Sequence, residues 1–215
     1  MKHKTSKVLY AYWNGVRRDR IAPQRFEIDP SCISGILPHT FILERHDAEH
    51  FCFRLAGTRI CEIFGRELRG TNFLDGWETI DRLPLLRTFS TLTRQGSAGV
   101  VHVEVAALAE ADLECEVLLL PLRHTRDDID RVLGSFSPMH APGWLGYSPI
   151  TSKRVVANRL LWPDGDPLPK VSRIPDPHAA DPALATERTA RTVRSEHRRF
   201  RVFDGGRSSS DPNDV

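Results

Sequence analysis

Nine histidines, four cysteines and a few hydroxyl and carboxylate pairs are the side chains through which this chain could do chemistry. A zinc protease needs two histidines one helical turn apart together with a carboxylate. Here His46 and His50 flank a predicted turn, His39 precedes a predicted strand, and His102 lies on a strand face opposite a row of valines. Cys32, Cys52, Cys61 and Cys115 do not have zinc spacing. Two of them fall in strand-like runs, which predicts reduced, largely buried thiols. Ser34-Gly35 and Ser90 lack the strand-turn-helix elbow that exposes a nucleophilic serine, and no glycine-rich phosphate cradle occurs. Asp127-Asp128 sits beside a turn, where carboxylates cap or stay solvated. These patterns give no positive support to enzymatic activity and predict no catalytic residue and no metal centre.

The elements that would position any site are clearest between Phe51 and Gly70. Phe51, Phe53 and Leu55 alternate with Cys52 and Arg54, the period of a strand with one buried face. The run breaks at Gly57. From Thr58, read as an N-cap, Ile60, Ile63 and Phe64 follow at helical spacing, and Gly65 stands where a helix ends. Arg66-Glu67-Leu68 reads as a second helical turn closed by Gly70.

Upstream, Val8, Leu9, Tyr12, Trp13 and Val16 form the apolar stripe of an amphipathic helix over residues 5–16. Pro23, Pro30 and Pro38 then punctuate a connector with one short helix starting at Asp29-Pro30. Residues 40–45 and 49–56 read as a hairpin about Asp47-Ala48. Downstream, residues 79–94 read as a long helix, with Pro84 tolerable only near its first turn or at a kink. Val101, Val103 and Val105, and then Leu113, Cys115, Val117 and Leu119, mark two antiparallel strands. Residues 129–137 complete five strands, with Gly134 marking a bulge or a close approach.

The glycine after a short helix, Arg66-Glu67-Leu68, Gly70 and the aromatic Phe73 together resemble the signature of PAS sensor domains. Further segments resemble a bacterial subfamily of small PAS-type proteins: Trp13, Arg17 to Pro23, Glu27-Ile28-Asp29-Pro30, Leu37-Pro38, Arg54 to Thr58, Gly65-Arg66-Glu67, Leu118 to Leu122 and Leu133-Gly134. The likeness spans roughly residues 7–150. It implies an α+β fold, with a five-stranded antiparallel sheet, short helices on one face and an amphipathic N-terminal helix. The expected organisation is an N-terminal helix and connector over 1–39, a PAS-like core over 40–140, an extension over 141–164 and a Pro-, Arg- and Ser-rich tail over 165–215, read as disordered. Within the tail, Arg191, Arg194, Arg198, Arg199 and Arg201 stand against Glu196, a basic stretch that a solvated tail or an acidic partner would explain.

The resemblance also implies a function: a sensory or regulatory module that binds a small ligand or a partner protein, with no attached output domain. PAS proteins that hold haem by an axial histidine carry it on the long helix, and residues 79–94 contain none. The photoactive flavin type uses Asn-Cys-Arg, where this chain has Arg59-Ile60-Cys61-Glu62. Neither histidine-ligated haem nor covalent flavin is expected. A cavity for a small apolar ligand would be lined by Phe41, Leu43, Phe53, Leu55, Ile60, Phe64, Phe73, Trp77, Leu86, Phe89, Val103 and Val117, which are also what a filled core needs.

Contact with a second copy or a signalling protein would use the helix stripe (Val8, Leu9, Tyr12, Trp13, Val16) and the charged strand face (Arg54, Glu114, Glu116). Arg54 could instead pair with Glu114 or Glu116 across the sheet, an exposed interaction worth only about 0.2–1 kcal/mol. A formal net charge of +2 and the lack of a recognition-helix pattern argue against nucleic acid. No apolar run is long enough to span a membrane, and a cytoplasmic protein is expected. The alternatives are a ligand-independent adaptor, favoured by a filled core, and a small-molecule enzyme, favoured by a buried histidine or carboxylate aimed into the cavity, with His102 as the test residue.

Overall fold

The run Leu118-Leu119-Leu120 is apolar on both sides of a strand, and this decides the architecture. A computed structural model describes residues 1–124 and 128–165. Asp127 and the proposed basic tail beyond Gly165 lie outside the described residues. The elements are α1 (Lys4–Arg17), β1 (Thr40–Arg45), β2 (Phe51–Ala56), α2 (Thr58–Phe64), α3 (Thr79–Gln95), β3 (Ala98–Ala107), β4 (Leu113–Arg123), β5 (Ile129–Pro138) and β6 (Ile150–Leu161). The strands form one antiparallel sheet in the order β2-β1-β5-β4-β3-β6. The fold is α+β, as expected. The sheet, however, has six strands rather than five.

β4 is buried without interruption from Cys115 to Leu122, so both faces of the sheet centre need a cover. On the inner face, Cys115, Val117 and Leu119 pack with Val101, Val103 and Phe136 beneath α2, α3 and a cluster of aromatic rings. On the outer face, Leu118, Leu120 and Leu122 pack with Val100 and Leu133 beneath α1. Leu9 and Trp13 of α1 are fully buried there, and the Trp13 indole N–H donates to the Pro121 carbonyl at 2.9 Å.

Several local expectations change on contact with neighbouring chain. Leu55 is 44% exposed because the β1–β2 register shifts between Ile42 and Leu43. The extra residue of this bulge turns Leu55 away from the Phe51–Phe53 side, opposite Ile42 on the outer face. α2 is capped by Gly57, and Thr58 is its first helical residue. Residues 66–68 are not helical. The chain from Gly70 to Phe73 instead runs beside β2, with the Gly70 amide donating to Phe53 and the Phe53 amide donating to Thr71, and so covers the free edge of that strand. Asp29 caps the short turn Pro30–Ile33 through the Ser31 amide, as expected.

The segment expected as an extension over 141–164 contains the sixth strand, β6. It pairs along β3 from Ala107 opposite Ile150 to Ala98 opposite Leu161, with two register shifts. Pro84 lies inside α3. Asp81 of the same helix accepts the Val155 amide at 2.8 Å, which ties α3 to β6. Among the described residues no helix is long and apolar enough to cross a membrane.

Gly134 marks a close approach. A Cβ there would lie 2.2 Å from the Phe41 ring and 2.6 Å from the Leu118 carbonyl oxygen. Gly134→Ala should therefore cost about 1–3 kcal/mol through overpacking between β1 and β4. A urea unfolding midpoint equal to that of the wild type would show that the three strands are not packed this closely.

Candidate functional site

The inner face holds a nearly continuous aromatic wall. Phe73 is its hub, with ring centroids 5.5–5.9 Å from Phe41, Phe53, Trp77 and Phe89. Phe51 stacks on Phe89 at 4.0 Å. Phe41, Phe53, Ile60, Phe64, Phe73 and Trp77 line a cavity of about 20 Å³, room for about one water molecule. Leu43, Phe89, Val103 and Val117 belong to the packed core around it, and Leu86 is half-buried against that core. Leu55 is on the opposite face of the sheet. The structure thus brings together six of the twelve residues read as cavity lining, supplies five more as core, and sends Leu55 elsewhere.

Lys153 of β6 completes the wall and was not foreseen. Its ammonium sits 4.8 Å from the Trp77 ring centroid and 5.5 Å from that of Phe64, within cation–π range. It donates to the Asp75 carbonyl at 2.8 Å. Burial lowers its pKa to about 8, with Arg66 acting in the same direction and Asp75 against it. No local pattern marks Lys153, since its burial arises from the long-range pairing of β6 with β3.

Other reactive side chains do not converge. His46 and His50 stay in the β1–β2 turn, where the His50 imidazole meets Asp47 at 2.7 Å. His3, His39 and His140 border an open hollow of about 490 Å³ with Arg59 and Glu62. Among the described residues no three His, Cys, Asp or Glu side chains are placed to hold a metal ion. Burial raises the pKa of the Cys115 thiol to about 12 and also raises those of Cys52 and Cys61. None of these three is a thiolate near neutral pH. His102 lies on the outer face, 3.6 Å from Glu116, and does not enter the cavity.

The residues read as a partner surface divide. Leu9 and Trp13 are spent on the sheet of their own chain, because the outer face of β4 and β5 is itself apolar. Val8 remains exposed, and Tyr12 and Val16 are half-buried. Arg54 meets Glu44 on β1 at 3.8 Å. It reaches neither Glu114 nor Glu116, because β2 and β4 are not neighbours. Glu114 is exposed, but Glu116 is fully buried and anchors the start of α1. Its two carboxylate oxygens accept the backbone amides of Lys2 at 2.6 Å and His3 at 3.0 Å. Burial pushes the Glu116 carboxyl pKa up, but the Lys2 and His3 amides, the Ser6 hydroxyl and the N-terminal ammonium outweigh it and hold the pKa below the ordinary value.

A family model described as PAS domain matches residues 1–137, which hold α1, the two strands before α2 and α3, and, after them, β3, β4 and all but the last residue of β5. The chain belongs to the PAS domain family. Membership makes it a sensory or signalling type of module. The matched residues end within β5, so β6 and its Lys153 are additions outside the matched PAS region. No curated protein and no solved structure matches the chain.

The docking of α1 has a pH signature. Because the folded-state pKa of Glu116 lies below its unfolded value, the stability it contributes is complete above the ordinary carboxylate range and is lost as pH falls through the folded value. Glu116→Gln, which leaves buried donors mismatched, should cost about 1–3 kcal/mol at neutral pH and flatten the loss on acidification. Parallel stability-versus-pH curves for variant and wild type, measured by urea unfolding, would remove Glu116 as the anchor.

Proposed function

We propose that this PAS domain is a regulatory module that binds a small ligand or a partner protein and relays the event through β6 to α1. The supporting observation is the span of the sixth strand. Near its start Lys153 plugs the aromatic wall, and three residues past its end Asp164 grips Arg17 in the last turn of α1. That pair is bidentate, with both N···O distances 2.8 Å and Arg17 only 4% exposed. Arg17 also faces the Trp13 ring at 5.6 Å, the side chain that seats α1 on the sheet. The strand and the turn that follows it therefore link the cavity wall to the terminal helix. A ligand moves this system only by binding its two arrangements with different affinity, and withdrawal of Lys153 from the rings is the change that would distinguish them.

A second reading, a ligand-independent adaptor, is supported by the size of the inner cavity, which holds no more than a water molecule. An adaptor would present the outer apolar hollow of about 370 Å³ near Ile33, Ile42, Leu55 and Leu133 to another protein.

Native mass spectrometry of the full chain from its own host, before and after denaturation, separates the two. The signalling reading expects a small non-covalent mass that is lost on denaturation or changes with growth conditions. A partner protein carried with no small mass under any condition would favour the adaptor and count against ligand sensing.

A further inference from the structure

We propose that the hollow outside Lys153, where β6 crosses the end of α2, is a binding site for a small organic carboxylate. This open hollow of about 330 Å³ is formed by Phe64 and Arg66 at the end of α2, the Asp75-Gly76 turn, and Ile150, Thr151 and Lys153 of β6. Its volume is at the lower end of the range for small-molecule sites, about 300–1,000 Å³. The inner aromatic cavity is more than tenfold smaller. Phe64, Arg66, Asp75 and Lys153 border both spaces, so Lys153 stands at the partition between them.

The chemistry follows from donors that no protein acceptor takes up among the described residues. An ammonium has three N–H groups, and among the described residues that of Lys153 has one protein acceptor, the Asp75 carbonyl. Arg66, an exposed residue, lines the same hollow, and its guanidinium makes no ion pair or side-chain hydrogen bond among the described residues. Asp75 borders the hollow as well, and among the described residues its carboxylate comes within ion-pair distance of neither cation. The lining therefore carries two positive charges and one negative. An anion seated between Lys153 and Arg66 would accept charge-assisted hydrogen bonds from both in place of water and offset the Arg66 repulsion that adds to burial in weakening the hold of Lys153 on its proton. The Phe64 ring and the side chain of Ile150 supply the apolar flank that favours an organic anion over an inorganic one. A cationic ligand competing for the aromatic rings would meet Arg66 at the entrance.

The site stands apart from the signalling reading, since a carboxylate could bind there with no output. Binding would nonetheless draw the Lys153 ammonium outward from the Trp77 and Phe64 rings. The strand that carries it is the one that reaches α1.

The test is a titration of the full chain with benzoate, benzyl alcohol and benzylammonium, three probes of one shape and different charge, followed by amide chemical shifts. Benzoate should produce saturable shifts centred on residues 64–66, 75–76 and 150–153, with affinity roughly tenfold above that of either other probe. Lys153→Met keeps the length and apolar stem of the side chain. Arg66→Met changes an exposed residue. Each should weaken benzoate by roughly tenfold, while Asp75→Asn should tighten it. Equal binding of benzoate and benzyl alcohol, tighter binding of benzylammonium, or benzoate shifts that are absent or unaffected by both methionine variants would each overturn the proposal. The native-mass experiment remains the separate test of the signalling reading.

Discussion

The two-sided burial of β4 is the constraint on which the rest depends. A strand buried on one face can leave its other face to water, and a PAS sheet with helices on one side only would then be complete. In this chain Leu118, Leu120 and Leu122 face away from α2 and α3, and leaving them exposed would cost roughly 1.5–3 kcal/mol each. α1 supplies the cover. Its apolar stripe is therefore consumed within its own chain, and Glu116 and the Pro121 carbonyl fix its position by hydrogen bonds at the two ends of the contact.

β6, the neighbour of β3, extends the sheet beyond the residues that match the family model. Val155 meets Asp81 of α3, Asn158 approaches Thr88, and Asp164 holds Arg17 beneath α1. Lys153 closes the aromatic wall from this strand. The ring cluster thus has a charged, strand-borne boundary where a purely apolar core would have had none.

Much of the frame was legible in the sequence because local signals and the fold agree. The apolar stripe of α1, the alternation of β3 and β4, and Gly65 at the end of α2 each carry their own mark, and the structure places those elements within a few residues of the reading. What failed to show was non-local. Leu55 obeys the alternation of its strand, but a bulge against Ile42 reverses its side. Glu116 alternates as a solvent-facing residue should, yet α1 folds over it and turns it into a buried anchor. β6 has no pattern of its own because it is an edge strand with most side chains exposed, so Lys153 carried no warning of burial. Of the cavity residues the aromatic ones were readable from type and spacing, while the cation that closes the wall was not.

If β6 couples the aromatic wall to α1, loosening the strand at Lys153 must loosen the helix. The decisive measurement is hydrogen exchange of the α1 amides in the wild type and in Lys153→Met, because the substitution keeps the packing volume and removes the charge that pins β6 to Trp77 and Asp75. Exchange should quicken over residues 4–17 as well as along β6 in the variant. Faster exchange confined to β6, with α1 protected as in the wild type, would contradict that coupling.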